Sequence, residues 1–136
     1  MGTLSTAKMI GFAITTNPER SISFYRDTLG LRFVSQDGFA VVFDCNGNML
    51  RLAILQGEFT PPRYTVAGWE VTGIDEVVAA LTQAGVKMNF YGMPGQAESG
   101  IWTTPTGEKV AWFHDPDGNV LSVSQHQPRT LTAPTP

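Results

Sequence analysis

The chain has 136 residues, 42% hydrophobic and 15% charged, which is enough apolar material for one domain with a buried core and too much for a wholly disordered chain. Its formal net charge of −3 excludes the basic footprint of a general nucleic-acid binder, and no apolar run reaches the roughly 18 residues of a spanning helix. One cysteine, Cys45, leaves no intrachain disulfide and no multi-cysteine zinc site. Nothing from Met1 to Lys8 reads as a secretory signal, so a cytoplasmic location is expected.

Glycine and proline divide the chain into short segments. Met9 to Thr15 reads as a strand. Asn17-Pro18-Glu19-Arg20 reads as a helix start: Asn17 can cap free amides, Pro18 suits the first turn, and Glu19 favours the positive end of the dipole. Ile22, Tyr25 and Leu29 then share one helical face, and Gly30 ends the helix. Strands are expected at Leu31 to Ser35, Phe39 to Asp44 and Met49 to Leu55, joined by tight turns at Asp37-Gly38 and Asn46-Gly47.

The second half runs in the same order. Thr65 to Val71 is a strand, Ile74, Val77, Val78 and Leu81 form a helical stripe, and Gly85 ends it. Val86 to Phe90, a segment near Trp102, Lys109 to Phe113 and Val120 to Ser124 are the remaining strands, with a glycine-rich loop or irregular strand pair over Asn89 to Gly100. Residues repeat as well as elements: Leu29-Gly30-Leu31 matches Ala84-Gly85-Val86, and Asn46-Gly47-Asn48-Met49-Leu50 matches Asp117-Gly118-Asn119-Val120-Leu121. A half of about 60 residues buries its sheet poorly alone, so the halves should pack together. The expected divisions are module 1 at 8–57, module 2 at 62–126 and a flexible tail at 127–136.

Three groups of residues carry a family resemblance: Asn17 to Ser21 with Phe24-Tyr25-Arg26-Asp27, Leu29-Gly30-Leu31, and Phe113-His114-Asp115-Pro116-Asp117-Gly118-Asn119. Over Lys8 to His126 the chain resembles the vicinal oxygen chelate superfamily, which includes glyoxalase I, bleomycin-resistance proteins and extradiol dioxygenases. The resemblance implies an α+β fold of two βαβββ modules, with curled mixed sheets forming a cleft and helices on the outer faces. It also implies a small-molecule ligand and a homodimer.

Metal-using relatives place two His and one or two Glu at strand ends, leaving open positions for a substrate with two neighbouring oxygens. By the resemblance, those positions fall on Ile10, Val66 (or Thr65), Arg51 and Ser122. Arg51 would repel a divalent ion, and no residue from Met9 to Thr16 is His, Asp or Glu, so no metal ligand and no cofactor is expected. His114 reads as an exposed turn residue, His126 as a surface residue, and Cys45 as a structural thiol lacking a positioned base.

Strand alternation then sorts the cleft. Ile10, Phe12 and Ile14, Arg51, Val66, Gly68, Glu70 and Ser122 face it by the resemblance, giving an apolar trough with Arg51, Glu70 and serines as polar points. Arg51 either pairs with Glu70, reaches water, or binds a carboxylate or phosphate. Trp102 either stacks on a flat ligand or packs in a core or interface. Trp69 and Trp112 read as packing residues, and Phe90 and Tyr91 either line the mouth or form a latch.

The leading expectation is a metal-independent protein that sequesters an aromatic or cationic small molecule, as bleomycin-resistance proteins do. It would bind neither nucleic acid nor membrane. Residues 1–57 carry five Lys/Arg against four Asp/Glu, and residues 58–136 four against eight, an asymmetry that suits a cation and equally suits solubility. The alternatives are a lyase, isomerase or oxidoreductase of the superfamily with divergent residues, Glu70 serving as the possible base, and a module with no ligand at all.

Overall fold

The computed structural model describes residues 2–127. Eight strands and two helical segments follow the repeated order: β1 (Ile10–Thr15), α1 (Pro18–Ile22) continuing into a wider π-helical turn (Ser23–Thr28), β2 (Arg32–Gln36), β3 (Ala40–Cys45), β4 (Asn48–Ile54), β5 (Thr65–Glu70), α2 (Ile74–Gln83), β6 (Trp102–Thr103), β7 (Lys109–His114) and β8 (Val120–Gln125). The strands form two mixed sheets of matching topology, β1-β4-β3-β2 and β5-β8-β7-β6. In each, the strand before the helix pairs in parallel with the last strand, while the other pairs are antiparallel. The edge strands β1 and β5 lie next to each other.

Local chemistry explains most boundaries. Asn17 Oδ1 accepts the Arg20 amide at 3.1 Å, with Pro18 opening the helix as expected of an N-cap followed by proline. Asn46 and Gly47 both take positive φ (53° and 92°), as a type I′ hairpin demands. Asp37-Gly38 closes differently. Gly38 has no positive φ, and Asp37 Oδ1 instead accepts the amides of Phe39 and Ala40 at 2.7 and 2.9 Å, so a side-chain turn replaces the primed turn. The first helix also departs from a uniform 3.6-residue period: the Leu29 amide reaches back to Phe24 O at 2.9 Å, an i→i+5 bond. That wider turn accompanies full burial of Tyr25 and leaves Phe24 partly buried beside it, their rings edge-on at 5.3 Å.

Val86–Phe90 is not a strand. Its backbone meets β7 through one bridge, Met88 to Phe113, and one bond, Asn89 N to Trp112 O, and a side-chain bond joins Asn89 to His114. The chain then leaves the sheet through Gly92, Gly95 and Gly100, all at positive φ, and rejoins it at Trp102. Gln96 organises the excursion: its Nε2 donates to Asn89 O and Gly100 O, and its Oε1 accepts the Tyr91 amide.

One face of each sheet joins a common core. Val41, Phe43, Leu50 and Leu52 of the first sheet and Ala111, Phe113, Leu121 and Val123 of the second cluster with Tyr25, Ile74, Val78 and Leu81. A buried Leu or Phe here contributes about 2–3 kcal/mol by removal from water. The opposite faces stay open, so each sheet presents a second surface that its own module leaves uncovered. The tail expected over 127–136 lies outside the described residues from 128 onward, while Gln127 is hydrogen-bonded to Gly107 O.

Candidate functional site: two open sheet faces

On the first sheet, register places Phe12, Arg51 and Val42 in one row and Ile10, Met49, Asp44 and Arg32 in the next. Their neighbours in sequence, Ala13, Leu50 and Phe43, are buried on the core side, so alternation puts the two rows on the open face. Phe12 is 59% exposed and Ile10 42%. At one end Ile10, Val34, Met49 and Arg32 border an apolar hollow of about 340 Å³. Among the described residues no ion pair joins Arg51 to Glu70; Arg51 acts electrostatically on Asp37 instead. The Asp37 carboxyl is held below its usual range chiefly by the Phe39 and Ala40 amides, with Arg51 adding a smaller pull.

The second open face carries Gly68, Glu70, Ser122, Ser124, Val110, Trp112 and Trp102 by register. Gly68 lies close to its neighbour strand: a Cβ there would collide with Ser122 Oγ and crowd the Ser122 carbonyl at 3.3 Å. Val66 sits at the β5 bulge, packs against the core and borders a cavity of about 600 Å³ shared with Glu70, Trp69 and Cys45. Burial pushes the Cys45 thiol up, opposed by a smaller lowering from the Trp69 indole, so Cys45 is no activated nucleophile. Trp69 packs against the core as expected.

Trp112 does not belong with it. Its register partner is Ser122, which puts it on the open face. Trp112 stacks with Trp102 (centroids 6.3 Å apart, planes 30°) and meets the Tyr91 ring edge-on at 5.5 Å. The Trp102 indole N–H is held by Pro94 O at 3.2 Å. Sequence alternation alone missed this cluster, because Trp112 could be placed only after the β7–β8 register was known. The structure therefore gathers Ile10, Phe12 and Arg51 on one sheet and Glu70, Ser122 and Trp102 on the other, and neither the 340 Å³ hollow nor the 600 Å³ cavity joins Arg51 or Phe12 to the second group.

Among the described residues no three His, Cys, Asp or Glu side chains converge as metal donors. Arg51 and Ser122 lie on the two open faces and Val66 at the β5 bulge, and none of them supplies a family ligand. The residues present do not fit a metal centre of that type.

Two four-stranded mixed sheets, each with its crossover helix and open face, define a paired βαβββ protein. The family model of the Glyoxalase/Bleomycin resistance protein/Dioxygenase superfamily matches residues 10–123, and the chain belongs to that superfamily. Solved structures of similar fold include TnmS3, an antibiotic binding protein from Streptomyces sp. CB03234 (22% identity, 93% of this chain and 100% of that one, TM-score 0.71). Another is lactoylglutathione lyase from Agrobacterium tumefaciens (19% identity, 88% and 93%, TM-score 0.68). A third is a superfamily member from Sphaerobacter thermophilus DSM 20745 (22% identity, 90% and 99%, TM-score 0.68). No curated protein matches the chain in sequence.

Proposed function

We infer that the chain is a metal-independent, cytoplasmic small-molecule-binding protein that sequesters a flat aromatic ligand; that TnmS3, of similar fold, is an antibiotic binding protein supports the binding part of this reading. The observation carrying this reading is the Trp102–Trp112–Tyr91 cluster on an open sheet face; in its support, the positions where the resemblance places metal ligands hold Ile10, Val66, Arg51 and Ser122, which offer neither a carboxylate nor an imidazole. Stacking on such a surface is worth about 0.5–1.5 kcal/mol per ring pair beyond area burial. The exposed apolar residues of the first sheet, Phe12, Ile10 and Met49, support a homodimer in which a second copy covers that face and brings an Arg51 toward a Glu70. Ile10, Phe12 and Arg51 would then line one wall of the ligand site and Val66, Glu70, Ser122 and Trp102 the other.

The test is titration of the purified protein with planar aromatic antibiotics, followed by tryptophan fluorescence, alongside metal analysis. Micromolar binding that survives chelation and is lost in Trp112→Ala supports the reading. Stoichiometric nickel, zinc, iron or manganese whose removal abolishes a lyase, isomerase or dioxygenase activity would replace it with the enzymatic alternative. Light scattering that gives a monomer at micromolar concentration would remove the dimer.

A further inference from the structure

We propose that His114 sets ligand selectivity on the aromatic face: its Nε2 accepts a hydrogen bond from a hydroxyl or N–H at the edge of a planar ring stacked on Trp102 and Trp112. This rests on the aromatic-binding reading and goes beyond it by naming the ligand's chemistry. His114 follows Trp112 by two residues on β7, so both project from the same side of the strand, and His114 is exposed. It is not simply a turn residue.

Its ring is oriented in advance. Asn89 Nδ2 donates to the Tyr91 hydroxyl at 2.9 Å, which turns Asn89 Oδ1 toward His114 Nδ1, 3.1 Å away. An amide oxygen facing a ring nitrogen places the proton on that nitrogen, and the neutral imidazole then keeps a free lone pair on Nε2. Asn89 is itself fixed on both sides: its amide donates to Trp112 O at 2.8 Å, and its carbonyl accepts Gln96 Nε2 at 3.1 Å. Gln96 also holds the Tyr91 amide at 2.9 Å, so the acceptor and the rings it borders are tied to one loop. An acceptor fixed before binding costs little ordering entropy when the ligand arrives. The matching ligand is a planar aromatic with a phenol-like donor at its rim.

Equilibrium dialysis at pH 8 with 2-naphthol and 2-methoxynaphthalene isolates the donor. The native protein should favour 2-naphthol by about 2–10-fold, the span of one net hydrogen bond. His114→Ala should erase the preference while leaving 2-methoxynaphthalene affinity unchanged, and His114→Gln, which restores an acceptor, should recover part of it. ¹⁵N spectra of the free protein should show the Nδ1–H tautomer of His114. A preference that survives His114→Ala, or an Nε2–H tautomer, overturns the assignment while the stacking face stands. If neither probe binds the native protein, the aromatic-binding reading fails and this proposal falls with it.

Discussion

Asp115–Asn119 and its repeat counterpart Asp44–Asn48 both link the last two strands of their sheets, yet their bonding differs sharply. Asp115 is 5% exposed and accepts the amides of Asp117 and Asn119, the Asn119 side chain at 2.8 Å and, across the modules, the Tyr25 hydroxyl at 2.6 Å. Asn119 Nδ2 also donates to Ile14 O, and Asp117 accepts from Thr16 and from Arg20 at 3.1 Å. On the other side, among the described residues, the Asp44 side chain reaches only Arg32 at 3.7 Å, Asn48 Nδ2 reaches only its own turn at 3.5 Å, and a cavity of about 600 Å³ borders Cys45, Asn46, Asn48 and Trp69. The repeat explains the difference. Aligned on Leu29-Gly30-Leu31 and Ala84-Gly85-Val86, Tyr25 corresponds to Ala80, which has no hydroxyl, and Arg20 to Asp75, which has no donor. The second module's turn thus holds the two halves together, and the first module's turn is left free of that duty.

The largest test of this contrast is Asp115→Ala. It strands the Tyr25 hydroxyl and the Asn119 amides in the core and should cost about 3–5 kcal/mol in urea unfolding. Asp44→Ala removes an exposed pair and should cost under about 1 kcal/mol. Equal losses would mean that the repeat is symmetric in solution.

Gly68→Ala comes next. The new methyl meets Ser122, and overpacking of this kind costs about 1–3 kcal/mol. Its expected partial rescue by Ser122→Ala, followed by thermal unfolding, would localise the strain to the β5–β8 pair on the second open face. An unrescued loss would point to the Ser122 carbonyl instead.

How much of this the sequence revealed depended on the range of the interaction. Asn17, Pro18 and the Asn46-Gly47 turn act within four residues, and the structure bears them out. Asp115 and Asp117 stood out in the sequence as part of the motif carrying the resemblance, and their partners Tyr25, Thr16 and Arg20 lie 90 to 101 positions away, a docking that no local pattern encodes. The face of Trp112 depended on strand register, which alternation alone leaves free by one residue. Val86–Phe90 had strand composition, but a sheet position also needs a partner, and only Met88 and Asn89 reach β7. The candidate site therefore came through as a set of residue types on two sheets, without the arrangement that separates them or the loop that orients His114.

A pH series sharpens the same comparison. Burial, and then the Asp115 carboxylate, hold the Tyr25 phenol far above its usual value. Below about pH 10 the hydroxyl is protonated in both folded and unfolded chains, so its contribution is constant. Above that the unfolded chain releases the proton and the folded chain keeps it, and stability should fall by up to about 1.4 kcal/mol per pH unit. Cys45, also raised by burial, acts in the same direction, so the series is run in a Cys45→Ala background. Tyr25→Phe should flatten the alkaline limb, whereas an unchanged slope would assign it to another group.

The smallest expected effect is the most pointed. Asn48 and Asn119 occupy equivalent positions, but Asn119 is buried with two short side-chain bonds and Asn48 is exposed with one bond at 3.5 Å, beyond a well-formed hydrogen bond. Asn119→Ala should therefore cost about 1–3 kcal/mol and Asn48→Ala less than about 0.5 kcal/mol. Should Asn48→Ala cost as much as its counterpart, the first turn must dock onto β5 in solution and the cavity beside Cys45 must close, which would make the two junctions alike despite Ala80 and Asp75.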